Sequence, residues 1–430
     1  MKRFFLIVFF LFLSFAAAQA QEITWMNYAN DQERVIFQKL IDRFEAEHPG
    51  VKIKFLSVQQ AEFGAKINAS FSANEPPDIF YVGPESVRAY VDKNRLLDLE
   101  PYVNSAAGVN FSDLYENALK KYRYDGETLG KGDIWALPKD LGPFAFGYNA
   151  DLFKKAGIPL PDKDKPYTFA EFLDVCRKLT RDTDGDGKID QWGTSLDVNW
   201  SFVQFVWGNG ADFLDESKKK VTITAPEFIE ALRYFSDLTL KYKVTPTSDE
   251  SKNTPPYARW CNGTLGFFPV APWDLVAFAN LPFQFDVIPW PVGKKENKTA
   301  TWLGSVGYGV SSETRNPELA AEFALYLSAN RETMETMCDL DMQVPNLQSL
   351  ADRYVGKQGN PKNREEFIQI ISDYGRSWPA EYTYNASWYN RFFSSIQDVL
   401  DGKESAESYC TRLEPKMQRL LDRAAKKQKS

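Results

Sequence analysis

Residues 134–149 read Ile-Trp-Ala-Leu-Pro-Lys-Asp-Leu-Gly-Pro-Phe-Ala-Phe-Gly-Tyr-Asn, and this stretch constrains the fold more than any other. Pro138, Gly142 and Pro143 rule out a continuous helix, because proline lacks the amide hydrogen a helix interior needs and glycine loses most entropy there. What remains is two apolar extended runs, Ile134 to Leu137 and Phe144 to Tyr148, separated by Lys139 and Asp140. Such a pattern describes a chain leaving one lobe and entering another across a cleft. A single interior strand with a kink describes it equally well, so the rest of the chain has to decide.

Upstream, strand and helix patterns alternate. Ile23 to Met26 reads as a strand, and Asn30 with Glu33 three residues on has the layout of a capping box. Phe37, Leu40, Ile41 and Phe44 then mark one apolar helix face, which Pro49-Gly50 ends. A strand over 51–58, a helix over about 61–73, a strand over 78–82 and a helix over about 86–94 follow. Alternation of this kind predicts an α/β fold, a mostly parallel sheet flanked by helices. At 430 residues the chain exceeds one core and suits two lobes of roughly 150 to 200 residues each.

The first residues are a separate matter. Met1-Lys2-Arg3, an apolar run from Phe4 to Ala18, and Ala18-Gln19-Ala20 before Gln21-Glu22 have the layout of a cleaved secretory signal over 1–20. The apolar run is short for a membrane span, which needs roughly 20 residues, and no later stretch approaches that length. Net charge is −7, and removing Lys2 and Arg3 makes it more negative. That balance argues against nucleic acid or an anionic membrane as partner.

His48 is the only histidine, so a multi-histidine zinc site is excluded, and its place in a Glu-His-Pro-Gly surface turn argues against a Ser-His-Asp triad or Cys-His dyad. Export permits disulfides among Cys176, Cys261, Cys338 and Cys410, but three pairings exist and buried free thiols read equally well. Asp182-Thr-Asp184-Gly-Asp186-Gly-Lys188-Ile-Asp190 places oxygens as a calcium loop of the EF-hand type does, with Lys188 contributing its carbonyl. Position 12 is Gly193, not the usual glutamate. Structural calcium and a metal-free acidic hairpin both fit the pattern, and no other cofactor is expected.

Aromatic residues make up 15% of the chain, 11 of them Trp, and most fall in strands or on helix faces where packing explains them. The exceptions sit where the chain turns. Trp273-Asp274 follows the apolar strand 265–270, so its ring emerges at a strand end, where α/β sheets bind ligands. Trp200 stands in a helix-start loop and Trp388 in Asn385-Ala-Ser-Trp, whereas Trp207, on the helix Trp200 begins, is assigned to the core. A flat ring suits the C–H face of a sugar, and amides or carboxylates suit its hydroxyl rim. The C-terminal residues 398–423 read as an amphipathic helix pair broken at Pro415.

Several motifs, taken in order, resemble one family. They are Trp25-Met-Asn27, Phe44-Glu-Ala-Glu-His-Pro-Gly-Val-Lys-Ile53, Pro76-Pro-Asp-Ile-Phe-Tyr-Val82, Trp135-Ala-Leu-Pro138 with Tyr148-Asn149, Asn262-Gly-Thr-Leu-Gly-Phe-Phe with Pro272-Trp273, and Gly307-Tyr-Gly-Val. Together they are similar to the maltose-binding-like, sugar-specific extracellular solute-binding proteins. That resemblance implies a two-lobed periplasmic binding protein fold of type II, crossed three times near 139–142, 302–307 and 327–332. Lobe one would comprise 21–138 plus 307–328, and lobe two 139–306 plus 329–430.

It further implies ligand contacts from Asn27, Tyr28 and Glu85 in lobe one, from Trp200, Trp273, Asp274 and Trp388 in lobe two, and from Asp140, Trp302 and Gly304 at the crossings. Asn30 reads instead as a helix cap. Glu85-Ser86, where the best-known member has an Asp-Arg pair, leaves maltodextrin itself unassigned. The implied function is a monomeric periplasmic protein, not an enzyme, that binds a carbohydrate and delivers it to the permease subunits of an ABC importer. A secreted glycoside-cleaving enzyme, which needs only two carboxylates, and the same fold holding an amine are the alternatives.

Overall fold

The computed structural model describes residues 21–103 and 109–427, so the expected signal peptide lies outside the described residues. β1 (Gln21–Asn27), α1 (Asp31–Glu47), β2 (Val51–Ser57), α2 (Gln60–Ser72) and β3 (Ile79–Val82) follow the sequence pattern closely. The capping box forms: the Asn30 side chain accepts from the Glu33 amide, and the Glu33 carboxylate accepts from the Asn30 amide. Ile36, Phe37, Leu40, Ile41 and Phe44 turn one face of α1 into the core, each burial contributing about 1.5–3 kcal/mol before entropy is charged against it.

The anchor stretch divides between bodies. β4 (Leu137–Pro138) belongs to the first sheet, whereas β5 (Gly142–Pro143) and β6 (Ala145–Asn149) belong to others, which settles the crossover over the kinked strand. α3 (Phe169–Leu179), β7 (Trp192–Thr194), α4 (Val198–Gly208), β8 (Leu265–Val270) and β9 (Phe285–Ile288) build the second lobe. β10 (Thr301–Gly304) and β11 (Gly307–Val310) bring the chain back, and α5 (Pro317–Ala329) and α6 (Arg331–Asp339) pack on the first lobe. β12 (Gly375–Arg376) and α7 (Ser387–Phe393) lie on the second lobe's side.

The first sheet runs β2-β1-β3-β11-β4, the second β9-β6-β8-β7, and a three-stranded hinge sheet β12-β10-β5 lies between them. Pairing is mixed. β1 lies parallel to β2 and β3, but β11 is antiparallel to β3 and β4 because it starts where they end, Gly307 facing both Val82 and Pro138. In the second sheet β8 is parallel to β7 and antiparallel to β6.

Three apolar cores follow this division. One surrounds Trp25, Phe37, Tyr81 and Tyr308; a second surrounds Phe146, Phe172, Phe205 and Trp290; a third covers the other face of the second sheet around Trp260, Leu265, Val270 and Phe285 and reaches Leu141, Leu303 and Val344 at the crossings. Met334 and Met337 of α6 belong to the first core, so the third passage falls after them, where Val344 bridges to Leu141. Buried side chains stitch the crossings together. Asn346 donates to the carbonyls of Pro138 (2.8 Å), Lys139 (3.1 Å) and Ser328 (3.0 Å), and Gln343 donates to Lys139 (2.9 Å).

One open reading is decided and one expectation changes. All four cysteines are free, with Cys176, Cys338 and Cys410 buried, so the thiol reading holds over the disulfides. The C-terminal helix α8 (Ala406–Lys427) runs through Pro415 as one element instead of breaking into a pair. Burial of Tyr409, Cys410, Leu413, Met417 and Leu421 along one face outweighs the single backbone bond that proline removes. Among the described residues no helix is long and apolar enough to cross a membrane.

Candidate functional site

Between the lobes lies a cleft of about 1190 Å³ with the hinge at its floor. The end of β1, the start of α1 and the end of β2 supply one wall; the second lobe and β10 supply the other. Seven of the expected residues meet there: Tyr28, Asp140, Trp200, Trp273, Asp274, Trp302 and Gly304.

The second-lobe wall is a continuous aromatic surface. Trp200 and Trp302 have ring centres 5.3 Å apart, Trp273 and Trp302 6.2 Å, and Phe144 stacks on Trp273 at 6.4 Å and 16°. Trp200 and Trp273 remain nearly half exposed, at 48% and 47%. Hinge glycines make room for these rings. A Cβ at Gly142 would sit 2.5 Å from Trp273 Cζ3, and one at Gly304 would sit 2.7 Å from Trp302 Cη2. Any larger residue at either position displaces an indole.

The first-lobe wall is charged and prearranged. Lys139 Nζ lies 2.9 Å from Asp140 Oδ2 and 3.2 Å from Glu33 Oε1, while the other Asp140 oxygen accepts from the Val306 amide at 3.0 Å. Burial works against the Lys139 charge, but Asp140 and Glu33 outweigh it and hold its pKa well up. Burial, then the neighbouring Asp140, pushes the Tyr28 hydroxyl up to about 12, so it stays a neutral donor. The other lining cations are paired as well, Arg34 with Asp31 and Lys66 with Glu62. Across the cleft, burial pushes the Asp274 carboxyl up to about 7 against the pull of its bond from the Ala271 amide. Ser57 Oγ, Tyr81 Oη, Ser201 Oγ and Trp302 Nε1 line the cleft, buried and without a protein partner. All four are donors that a hydroxylated ligand or water can satisfy.

Three expected contacts are displaced. Asn27 is fully buried, because alternation along β1 sends its side chain to the face opposite Tyr28. Trp388 is fully buried too, its indole nitrogen donating to Thr383 Oγ1 at 2.8 Å on the inner face of α7. Glu85 lines a neighbouring cavity of about 570 Å³ on the far side of Trp200, instead of the cleft itself. The sequence reading missed Phe144, Trp378, Glu33 and Lys139. Trp378, beside Pro379 at a turn, carried the same signal that singled out Trp273.

In the acidic loop, Asp182, Asp184 and Asp190 bring carboxylate oxygens within 4.8 Å of one another. Asp186, expected as a fourth carboxylate, is outside that group and accepts instead from the Lys188 amide at 2.8 Å. Position 12 is closed to any side chain, since a Cβ at Gly193 would meet Cys176 Cβ at 2.5 Å.

The sequence pattern of a family described as bacterial extracellular solute-binding protein matches residues 29–334. An Escherichia coli protein named for periplasmic binding in ABC transport is 26% identical over 225 residues, 50% of this chain and 48% of that protein. The chain thus spans about half the length of the first curated relatives it matches. The diacetylchitobiose binding protein of Streptomyces coelicolor is 25% identical over 323 residues, 73% of this chain and 70% of that one. An ABC substrate-binding protein from Listeria monocytogenes, solved with cycloalternan, has the same fold: TM-score 0.80, 23% identity, covering 94% of this chain and 100% of that chain.

Proposed function

The chain belongs to the bacterial extracellular solute-binding protein family, and on that premise we propose that it binds a sugar or oligosaccharide between its lobes and hands it to the permease of an ABC importer. The observation that carries this reading is the pairing of an exposed indole wall, Trp200 and Trp273, with a wall of fixed hydrogen-bonding groups, Tyr28, Glu33 and Asp140. Rings cover the C–H face of a pyranose while carboxylates and donors meet its hydroxyls. Every cation in the lining is already held by a carboxylate, which disfavours an anionic ligand. The names of the relatives, diacetylchitobiose-binding and galactooligosaccharide-binding among them, point the same way.

A ligand touching both walls binds the closed arrangement better than the open one and shifts the population by that difference. Moving the balance from 1:99 to 99:1 takes about 5.5 kcal/mol of differential binding, within reach of two stacked rings and several hydrogen bonds. The permease then reads the closed form. Residues 1–20 would direct export, and the protein would act as a monomer in the periplasm. In the acidic loop we propose a structural calcium held by Asp182, Asp184 and Asp190 with the Lys188 carbonyl.

Thermal unfolding of the exported chain against a panel of mono- and oligosaccharides and simple amines, each with and without a calcium chelator, tests both parts. A ligand that binds only the folded state raises the midpoint by an amount set by its concentration over Kd. The expected outcome is a saturable shift with one sugar class, no sugar consumed, and a midpoint lowered by the chelator. A shift with amines alone, or disappearance of the sugar into products, overturns the sugar-binding reading. An unchanged midpoint under chelator removes the calcium.

A further inference from the structure

Lys121 and Glu381 form an ion pair between the lobes, outside the lining of the cleft. Lys121 lies on the turn Lys120–Tyr122, whose Tyr122 belongs to the first lobe's core, and Glu381 lies on the turn Pro379–Tyr382, whose Ala380 belongs to the second lobe's core. Lys121 Nζ donates to Glu381 Oε2 at 3.1 Å and to Ser377 Oγ at 2.8 Å, while the other Glu381 oxygen accepts from the Trp378 amide at 3.2 Å. Both side chains are only 4% exposed, and among the described residues no other ion pair is buried so deeply on both sides. Pro84–Ser86 of the first lobe packs on the same turn as Glu381, and Pro84 and Pro379 are buried there. Neither Lys121 nor Glu381 stands on a strand of the hinge sheet.

We propose that Lys121 and Glu381 are positioning residues that form an inter-lobe clasp, so that the lobes close fully only when the two charges meet. The clasp is independent of the ligand's chemistry, since neither residue reaches the cleft. Removing one partner of a buried pair leaves the other charge buried and uncompensated, which is strongly unfavourable. Within a single core that cost appears as lost folding stability. At a junction between two bodies on a hinge it is relieved by separating them, which returns the charge to water. Replacing both charges by apolar side chains of similar volume is often neutral, so closure then returns. Because apparent affinity scales with the fraction of protein in the binding-competent arrangement, the clasp sets affinity for every ligand of the cleft alike.

Small-angle X-ray scattering tests this on the exported chain, freed of ligand by unfolding, dialysis and refolding, with the radius of gyration reporting lobe separation. Lys121→Met should shift the radius above that of wild type, and Lys121→Met combined with Glu381→Met should bring it back. Glu381→Gln, which keeps the side chain's shape, should also raise the radius, and it carries the test if Lys121→Met does not fold. Denaturant midpoints are measured on the same samples. A wild-type radius in the single variants overturns the clasp, and a lowered midpoint in them then makes the pair a fixed brace of the fold. A double variant as expanded as Lys121→Met overturns the requirement that the charges match, and the clasp with it.

Discussion

The two walls of the cleft are built on opposite principles. On the first lobe, Lys139, Glu33 and Asp140 satisfy one another before any ligand arrives, and Glu33 also caps α1. On the second lobe, Trp200, Tyr257 and Trp273 are the aromatic side chains left largely exposed among the described residues, and all three line the cleft. Charges in a half-buried place must be paired in the empty protein, because an unpaired one costs too much. Apolar rings can wait, because exposing them is only moderately unfavourable and the cost returns when a ligand covers them. The polar wall is therefore bound up with stability, and the aromatic wall with affinity.

The sharpest way to break that contrast is Lys139→Met. With its side chain 10% exposed between two carboxylates, its loss should destabilise folding by about 3 kcal/mol, read as a lower denaturant midpoint. A change under about 0.5 kcal/mol, the range of ordinary surface substitutions, would show that the polar wall is not prearranged in this way. Trp273→Ala should do the reverse. Folding stability should move little, while affinity for the bound sugar falls by about 2 kcal/mol, roughly thirtyfold. If instead the midpoint without ligand collapses, Trp273 is a packing residue.

Asp274 gives the most specific effect. Its folded pKa, about 7, lies above the ordinary carboxyl value, so folding favours the protonated form. The stability it contributes is complete below the unfolded pKa of about 3.9 and is lost as pH rises through 7. Asp274→Asn should flatten the fall in stability between pH 4 and 7, raising the midpoint at pH 8 relative to wild type. An identical pH profile in the variant would place the carboxyl in water.

Much of this was legible in the sequence, and the failures share a cause. Pro138, Gly142 and Pro143 located the first crossing, and the order strand, cap, amphipathic helix located the first lobe, since both signals are local. Trp200 and Trp273 could be singled out because a ring at a turn has no strand or helix face to fill. Trp388 carried the same local signal and is nevertheless core, whereas Trp378, which carried it too beside Pro379, stacks on Trp302 and lines the neighbouring cavity. Asn27 was one position out of phase, and in a strand one position reverses the face.

By itself, then, the sequence determined the first crossing, the opening elements of the first lobe and the kind of chemistry available, because periodicity, turn residues and composition act over a few residues of chain. Which rings face the cleft, and which carboxylates meet Lys139, only the tertiary structure decided. Glu33 and Lys139 are 106 residues apart in the chain and 3.2 Å apart in space. Contacts of that kind arise when two lobes and a hinge are packed together, and the energies that select them exist only once the chain has closed on itself.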